Sequence, residues 1–246
     1  MCEKTDANFT MEYELDPLWD FSPDDSEFAD CTIVTEGKEI QAHQVILANS
    51  SEFFKDNFTS GDNFKGSSER RIEITVNPNG KLEKVIRFLY CGEITIEDNE
   101  LMALLEIAIF YRIEILKSLI IEELDKITDH ELIMKMFTEC FDNDYSNAVK
   151  LLPKYFAKFY QKYNKKELSE NLDTDCFLDT LSILNMNVKN MADEILTFFE
   201  DFNFFQDEAT KQAHDRLMSF IRDEVKQNNE LNEILKSKKP EWFKPQ

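Results

Sequence analysis

Between Ala29 and Phe58 the apolar positions change period once, and the change predicts a sheet running directly into helices. Cys31, Ile33 and Thr35 alternate with Thr32 and Val34, the two-residue period of a strand. Glu36-Gly37-Lys38 predicts a tight turn, since glycine accepts the positive φ of a hairpin, and Glu39–Ala42 reads as the returning strand. From Gln44 onward Val45, Ile46, Leu47, Phe53, Phe54 and Phe58 recur at helical spacing. Thr59–Arg71 is polar, with two glycines and three serines, and predicts a loop able to present residues to a partner. Ile72–Val76 alternates as a third strand, and Asn77-Pro78-Asn79-Gly80 has turn chemistry. Lys81–Tyr90 predicts a short helix with Leu82, Val85, Ile86 and Leu89 on one face, and Ile94 with Ile96 a last strand. Asp98 or Asn99 is the expected cap of a helix with Leu101, Leu104, Leu105 and Ala108 buried. Ile115, Leu116, Leu119 and Ile120 mark the next helix, and this half is expected to end near Ile127.

Beyond it every apolar stripe is helical. Thr128-Asp129-His130-Glu131 fits a capping box with Thr128 at the cap, followed by Leu132, Ile133, Met136, Phe137 and Cys140. Ser146–Tyr163 is amphipathic, and Pro153 is expected to start or kink its helix. Further stripes are Phe177, Leu178, Leu181 and Leu184; Met191, Ile195, Phe198 and Phe199; and Leu217, Phe220, Ile221 and Val225. The expected domains are an acidic arm over 1–27, a mixed α+β domain over 28–127, an all-α unit over 128–235 and a polar tail over 236–246. For the tail, which carries Trp242-Phe243, docking on its own domain or disorder outweighs a linear motif.

Composition narrows the function classes. A net charge of −21 disfavours nucleic acid and anionic membrane as partners. Lys236, Lys238 and Lys239 form the nearest thing to a basic patch. Five dispersed cysteines without a Cys-x-x-Cys pair suggest free thiols in the cytosol or nucleus, and no signal peptide or membrane span is expected. His43, His130 and His214 are too far apart in sequence to suggest zinc, and no phosphate-binding glycine pattern occurs. Cys31 or Cys91 with His43 could be drawn as a nucleophile pair, but nothing marks either thiol as activated. No catalytic residue, metal or cofactor is expected, and His43 is read as structural at a strand-to-helix corner.

Asp30 before the first strand, Ala42-His43 after the second, Leu47-Ala48 with Ser50 or Ser51 and Phe53-Phe54 together resemble the start of the BTB (POZ) domain. Phe88-Leu89-Tyr90-Cys91-Gly92-Glu93-Ile94 is similar to that family's aromatic–glycine corner, and Leu104–Ala108 to the helical pair that closes it. The resemblance implies a small sheet flanked by helices, with Asp30 and His43 as its signature, and the helices after 127 resemble the BACK domain. It also implies a protein-interaction module: an adaptor joining a substrate protein to a cullin-RING ubiquitin ligase, or else an oligomerisation scaffold or transcriptional co-regulator. In adaptors the loop after the second helix carries a hydrophobic residue, any residue, then glutamate. Here Phe64-Lys65-Gly66 stands at that place, so Phe58, Phe64 and Lys65 are the expected cullin contacts, with glycine where glutamate is usual. Co-repressor binders have a basic residue after the histidine, whereas this chain has Gln44. In the arm, which carries nine acidic residues against one lysine, Leu18, Trp19 and Phe21 join Phe28 as candidates for a homodimer interface or for packing within the chain. With no Kelch, MATH or similar reader recognisable once both halves are assigned, a substrate is expected on the helical half, the arm or the tail.

Overall fold

Ile33 lies at the centre of the smaller layer, pairing with Ile40 on one side and Ile72 on the other. The computed structural model describes residues 9–12, 28–59, 70–225 and 229–243, leaving aside the side chains of 9–12, 98 and 225. The chain divides into two compact units, 1–127 with 139–148 and 128–138 with 149–246.

The first unit holds two small sheets. β1 (Phe9–Glu12), from the acidic arm, pairs antiparallel with β5 (Glu93–Ile96), so this part of the arm docks on its own chain. β2 (Cys31–Thr35) is the middle strand of the other sheet, antiparallel to β3 (Lys38–Ala42) and parallel to β4 (Arg70–Ile74). Glu36 (φ 46°) and Gly37 (φ 79°) close the β2–β3 hairpin as two left-handed residues, the conformation that matches strand twist. Thr32 departs from simple alternation: it is buried like Ile33, and its hydroxyl donates to Gln41 Oε1 at 3.2 Å. β4 begins two residues earlier than its own alternation predicts, because β2 sets its register, Cys31 opposite Arg70 and Thr35 opposite Ile74.

The helices of this unit are α1 (Gln44–Ser50), α2 (Glu52–Thr59), α3 (Leu82–Cys91), α4 (Leu101–Phe110) and α5 (Glu114–Lys126). Gly92 ends α3 in the left-handed conformation (φ 75°), its N–H returning to Phe88 O at 2.8 Å. Helix α4 is apolar on all sides and buried from Leu101 to Ala108, as a central helix must be. Its one acid, Glu106, is 4% exposed and fully engaged: its carboxylate accepts from Asn147 N–H, Asn147 Nδ2 and Ala148 N–H at 2.7–2.8 Å. Those bonds fasten residues 147 and 148 to α4, which accounts for their place in the first unit rather than the second. Asp98 and Asn99, expected as caps, are themselves within a short 3-10 turn. The buried acid there is Glu100, held by Lys81 and Lys84, whose ammonium groups outweigh desolvation and lower its pKa.

The second unit is helical: α6 (His130–Asp142), α7 (Leu152–Phe159), α8 (Lys165–Asn171), α9 (Thr174–Ile183), α10 (Val188–Phe198), α11 (Glu208–Val225) and α12 (Glu230–Lys238). Asp129, not Thr128, accepts the free N–H at the start of α6 (Glu131 N, 3.0 Å). Asn164, Asp173, Asn187 and Asp207 do the same for α8, α9, α10 and α11. Pro153 sits in the first turn of α7, where its missing N–H costs nothing. Arg216 ties α11 to α9 by pairing with Asp175 and Asp179 at 2.6 and 2.5 Å.

Of the two readings of the segment from Lys236, docking and disorder, residues 236–243 show the first: they carry the last turn of α12, and Trp242 is buried against Phe199 and Phe204. Burying an indole outweighs the lysines around it, whose long stems leave the charge in water. Lys236, Lys238 and Lys239 are not the strongest basic group. Lys150, Lys154, Lys158 and Lys162 recur every fourth residue along α7 and its flanking 3-10 turns, all exposed. Among the described residues no helix is long and apolar enough to cross a membrane.

Candidate partner-binding surface

Asp30 and His43 act on the frame of the first unit. Asp30 Oδ1 accepts the Gln44 N–H at 2.8 Å, its carbonyl accepts Gln44 Nε2 at 2.8 Å, and its N–H donates to Ala42 O at 3.1 Å. One residue thereby holds the entry of β2 to the exit of β3 and the first turn of α1. His43, 6% exposed, donates its backbone N–H to Tyr90 Oη at 2.7 Å, with Nδ1 3.0 Å from the same oxygen. The imidazole thus meets a tyrosine from α3, 47 residues away in sequence, whose oxygen contacts both the backbone and the ring of His43.

These contacts suppress acid–base chemistry at the corner. Burial pushes the Tyr90 phenol up to about 12, the His43 N–H opposing it. Burial also pushes the Cys31 thiol up to about 12, with Asp30 adding to it, and its S–H donates to Ala42 O at 3.2 Å. A thiol held in that form is the opposite of an activated nucleophile. The sign of the resulting pH dependence follows. Both groups are stabilised neutral, so their contribution is whole below the ordinary values of 10.0 and 9.0 and disappears as the pH rises toward 12. An alkaline titration followed by tyrosinate absorbance and circular dichroism is expected to show Tyr90 ionising together with loss of structure, not before it. Free ionisation of every tyrosine near pH 10 with structure intact contradicts this.

Helix α2 and the corner after α4 carry the exposed features beside the expected partner loop. Ser51 separates α1 from α2: its Oγ accepts the Phe54 N–H at 3.2 Å and donates to Tyr111 O at 2.6 Å. Tyr111, fully buried, stacks on Phe54, which in turn stacks on Phe58. At the surface Phe53 and the 36% exposed Phe110 lie 6.1 Å apart, and Arg112 pairs with Asp56 at 2.7 Å. Arg112 is left-handed (φ 51°), which turns the chain sharply out of α4 into α5. A cavity of about 290 Å³ opens between Ser50, Glu52, Phe88, Leu89, Arg112 and Ile115.

Of the expected contacts, Phe58 belongs to the core. It is 7% exposed, and Arg70 donates to its carbonyl at 2.6 Å while lying 6.0 Å from its ring. Its period matched the buried stripe of α2, and that signal outranks its place at the helix end. Phe64 and Lys65 lie outside the described residues, between α2 and β4. Leu18, Trp19 and Phe21 also lie outside them, and Phe28 is 66% exposed. Phe110 and the Asp56–Arg112 pair escaped the sequence reading because their partners are 56 or more residues away. Among the described residues no three His, Cys, Asp or Glu side chains converge on a metal-sized site.

Comparison with known proteins places this geometry. Residues 21–128 match the family model of the BTB/POZ domain. Kelch-like protein 7 of Gallus gallus is 29% identical over 115 residues, 46% of this chain and 19% of that protein. The human Kelch repeat and BTB domain-containing protein 2 is 26% identical over 166 residues, 66% of this chain. This chain therefore spans 19% and 26% of the length of these two relatives. A solved structure, the BTB domain of zebrafish PATZ1, aligns with 42% of this chain and 81% of its own at 18% identity, with a TM-score of 0.37.

Proposed function

We propose, for a chain whose residues 21–128 form a BTB/POZ domain, that it is an adaptor linking a substrate protein to a cullin-RING ubiquitin ligase. The observation that carries this reading is the exposed Phe110 beside the half-buried Phe53, with the Asp56–Arg112 ion pair, at the helix from which the Phe64-Lys65-Gly66 segment departs. An apolar centre edged by one ion pair is the anatomy of a protein interface. In this reading Phe64 and Lys65 complete the cullin contact, residues 28–127 are the BTB core, and 128–235 act as a BACK-like extension. Leu18, Trp19, Phe21 and Phe28 form a homodimer interface, and the protein works in the cytosol or nucleus. Its contribution is tethering, which raises the substrate's concentration at the ligase without making or breaking a bond.

Gly66 favours one second reading, an oligomerisation scaffold or transcriptional co-regulator that does not bind the ligase, since a charged contact is lost there. Capture of a cullin N-terminal region by the wild type, by Phe64→Ala and by Phe110→Ala separates the two. The adaptor predicts capture by the wild type and affinity weakened at least about tenfold in each variant, the usual cost of removing an aromatic anchor. No capture by the wild type leaves the scaffold.

A further inference from the structure

Asn79-Gly80 is the one Asn-Gly step in the sequence. Both residues are left-handed, Asn79 at φ 52° and Gly80 at φ 68°, a conformation that this pair tolerates better than most. Both are also exposed. The pair therefore carries a chemical liability as well as a turn. Asparagine is a thermolabile side chain, and a glycine after it, having no Cβ, lets its own backbone nitrogen approach the asparagine carboxamide.

The same turn is a junction. Asn77 Oδ1 accepts the Leu82 N–H at 2.9 Å at the start of α3, and Val76 O accepts the Tyr111 hydroxyl at 2.7 Å. Asn79 Nδ2 donates at 2.9 Å to the hydroxyl of Tyr145, a residue 66 positions further on and 4% exposed. The Gly80 N–H donates to Asn77 O at 3.0 Å. Electrophile and nucleophile are thus each held in another bond: the Asn79 carboxamide is drawn to Tyr145, and the Gly80 nitrogen is tied back to Asn77. Residues 77–80 and 145 belong to the same compact unit, so a local opening of this contact frees both groups without unfolding the whole unit.

We propose that Asn79 is a site of spontaneous deamidation and that Tyr145 guards it. The Gly80 amide gives up its proton and its nitrogen attacks Asn79 Cγ. A C–N bond forms to close a cyclic succinimide, the Cγ–Nδ2 bond breaks, and ammonia leaves with the proton. Water then opens the ring at either carbonyl, giving aspartate or an isoaspartate whose main chain runs through the former side chain. Either product has a carboxylate in place of the donating carboxamide, and isoaspartate also adds a methylene to the main chain between Pro78 and Gly80. The tie to Tyr145 is altered beside the two bonds that hold the start of α3 and the buried Tyr111. None of this depends on the cullin reading, because the change lies within the chain and its test involves no ligase component.

The test ages the full chain at neutral and at mildly alkaline pH and follows the peptide containing Asn79 by mass spectrometry, with isoaspartate detected by enzymatic methylation. Conversion at Asn79 is expected to be faster at the higher pH, where the Gly80 amide loses its proton more readily, and faster again in urea, where the guard is absent. Tyr145→Phe keeps the ring and removes the hydroxyl. It is expected to convert Asn79 about fivefold faster than the wild type, the factor by which losing one hydrogen bond shifts a local opening, with an unchanged circular dichroism spectrum. A folded wild type that converts Asn79 as fast as the chain in urea, or a Tyr145→Phe variant that converts it no faster than the wild type, overturns the proposal. So does acceleration of asparagines throughout the Tyr145→Phe chain, which reports general unfolding rather than a lost guard.

Discussion

Phe199→Ala is expected to destabilise the helical unit by about 3–5 kcal/mol, the range for removing a buried aromatic ring from a packed core. Phe199 has no exposed surface, and its ring lies within 4.9–6.3 Å of those of Phe177, Phe198, Phe202, Phe204 and Trp242. It is therefore the common neighbour of α9, α10, the segment after α10 and the C-terminal Pro240–Phe243 turn. The Phe177–Phe198 stack, centroids 3.8 Å apart, is parallel and tight, so it cannot slide to fill the space. In a unit of this size the loss corresponds to roughly 13–22 °C of melting temperature. Hydrogen exchange resolved by peptide is the suitable measurement. Protection is expected to fall across α9, α10 and α12 and to persist in β2 and α4. Unchanged protection around Trp242 would show that the turn is held without the cluster.

Tyr111→Ala is expected to cost the first unit about 4 kcal/mol, combining an aromatic cavity with a lost hydrogen bond. The ring stacks on Phe54 at 5.8 Å, meets Phe53 edge-on at 5.0 Å, and its hydroxyl donates to Val76 O at 2.7 Å. Its carbonyl, which accepts from Ser51, survives the substitution, so the α1–α2 junction keeps one tie to α4. Tyr111→Phe isolates the hydroxyl and is expected to cost about 1 kcal/mol. The alanine variant also removes the support under Phe53 and Phe110, so it should weaken partner capture at temperatures where the unit is still folded. Equal stability of the alanine and phenylalanine variants by denaturant melts would show that the stack contributes little.

Legibility from sequence followed the range of the interaction. The β2–β3 hairpin could be read because its determinants, alternation and a Glu36-Gly37 turn, lie within a dozen residues. The stripes of α3, α9 and α10 were equally plain, since Val85, Ile86, Phe177, Leu181, Met191 and Ile195 repeat at the helical period. Short polar helices were less so: α8 and α12 bury only Leu168 in one case and Leu231 with Leu235 in the other, too few positions to establish a period. Thr128 and Asp129 could both cap α6, and the choice turned on a backbone geometry that composition does not reveal.

By itself, then, the order of apolar and polar residues determined the β2–β3 hairpin and the helices with a long apolar stripe, because those preferences act over one or two turns. It also carried the resemblance that implies an α+β domain followed by helices. Tertiary structure alone decided what each buried group meets: Tyr90 for His43, Tyr111 for Ser51, Asn147 and Ala148 for Glu106, and the Phe199 cluster for Trp242. A buried polar atom must find its partner wherever the chain returns to it, and a ring packs on whatever surface the fold supplies. Those pairings span 41 to 60 residues and are set by the closing of the chain, not by local period.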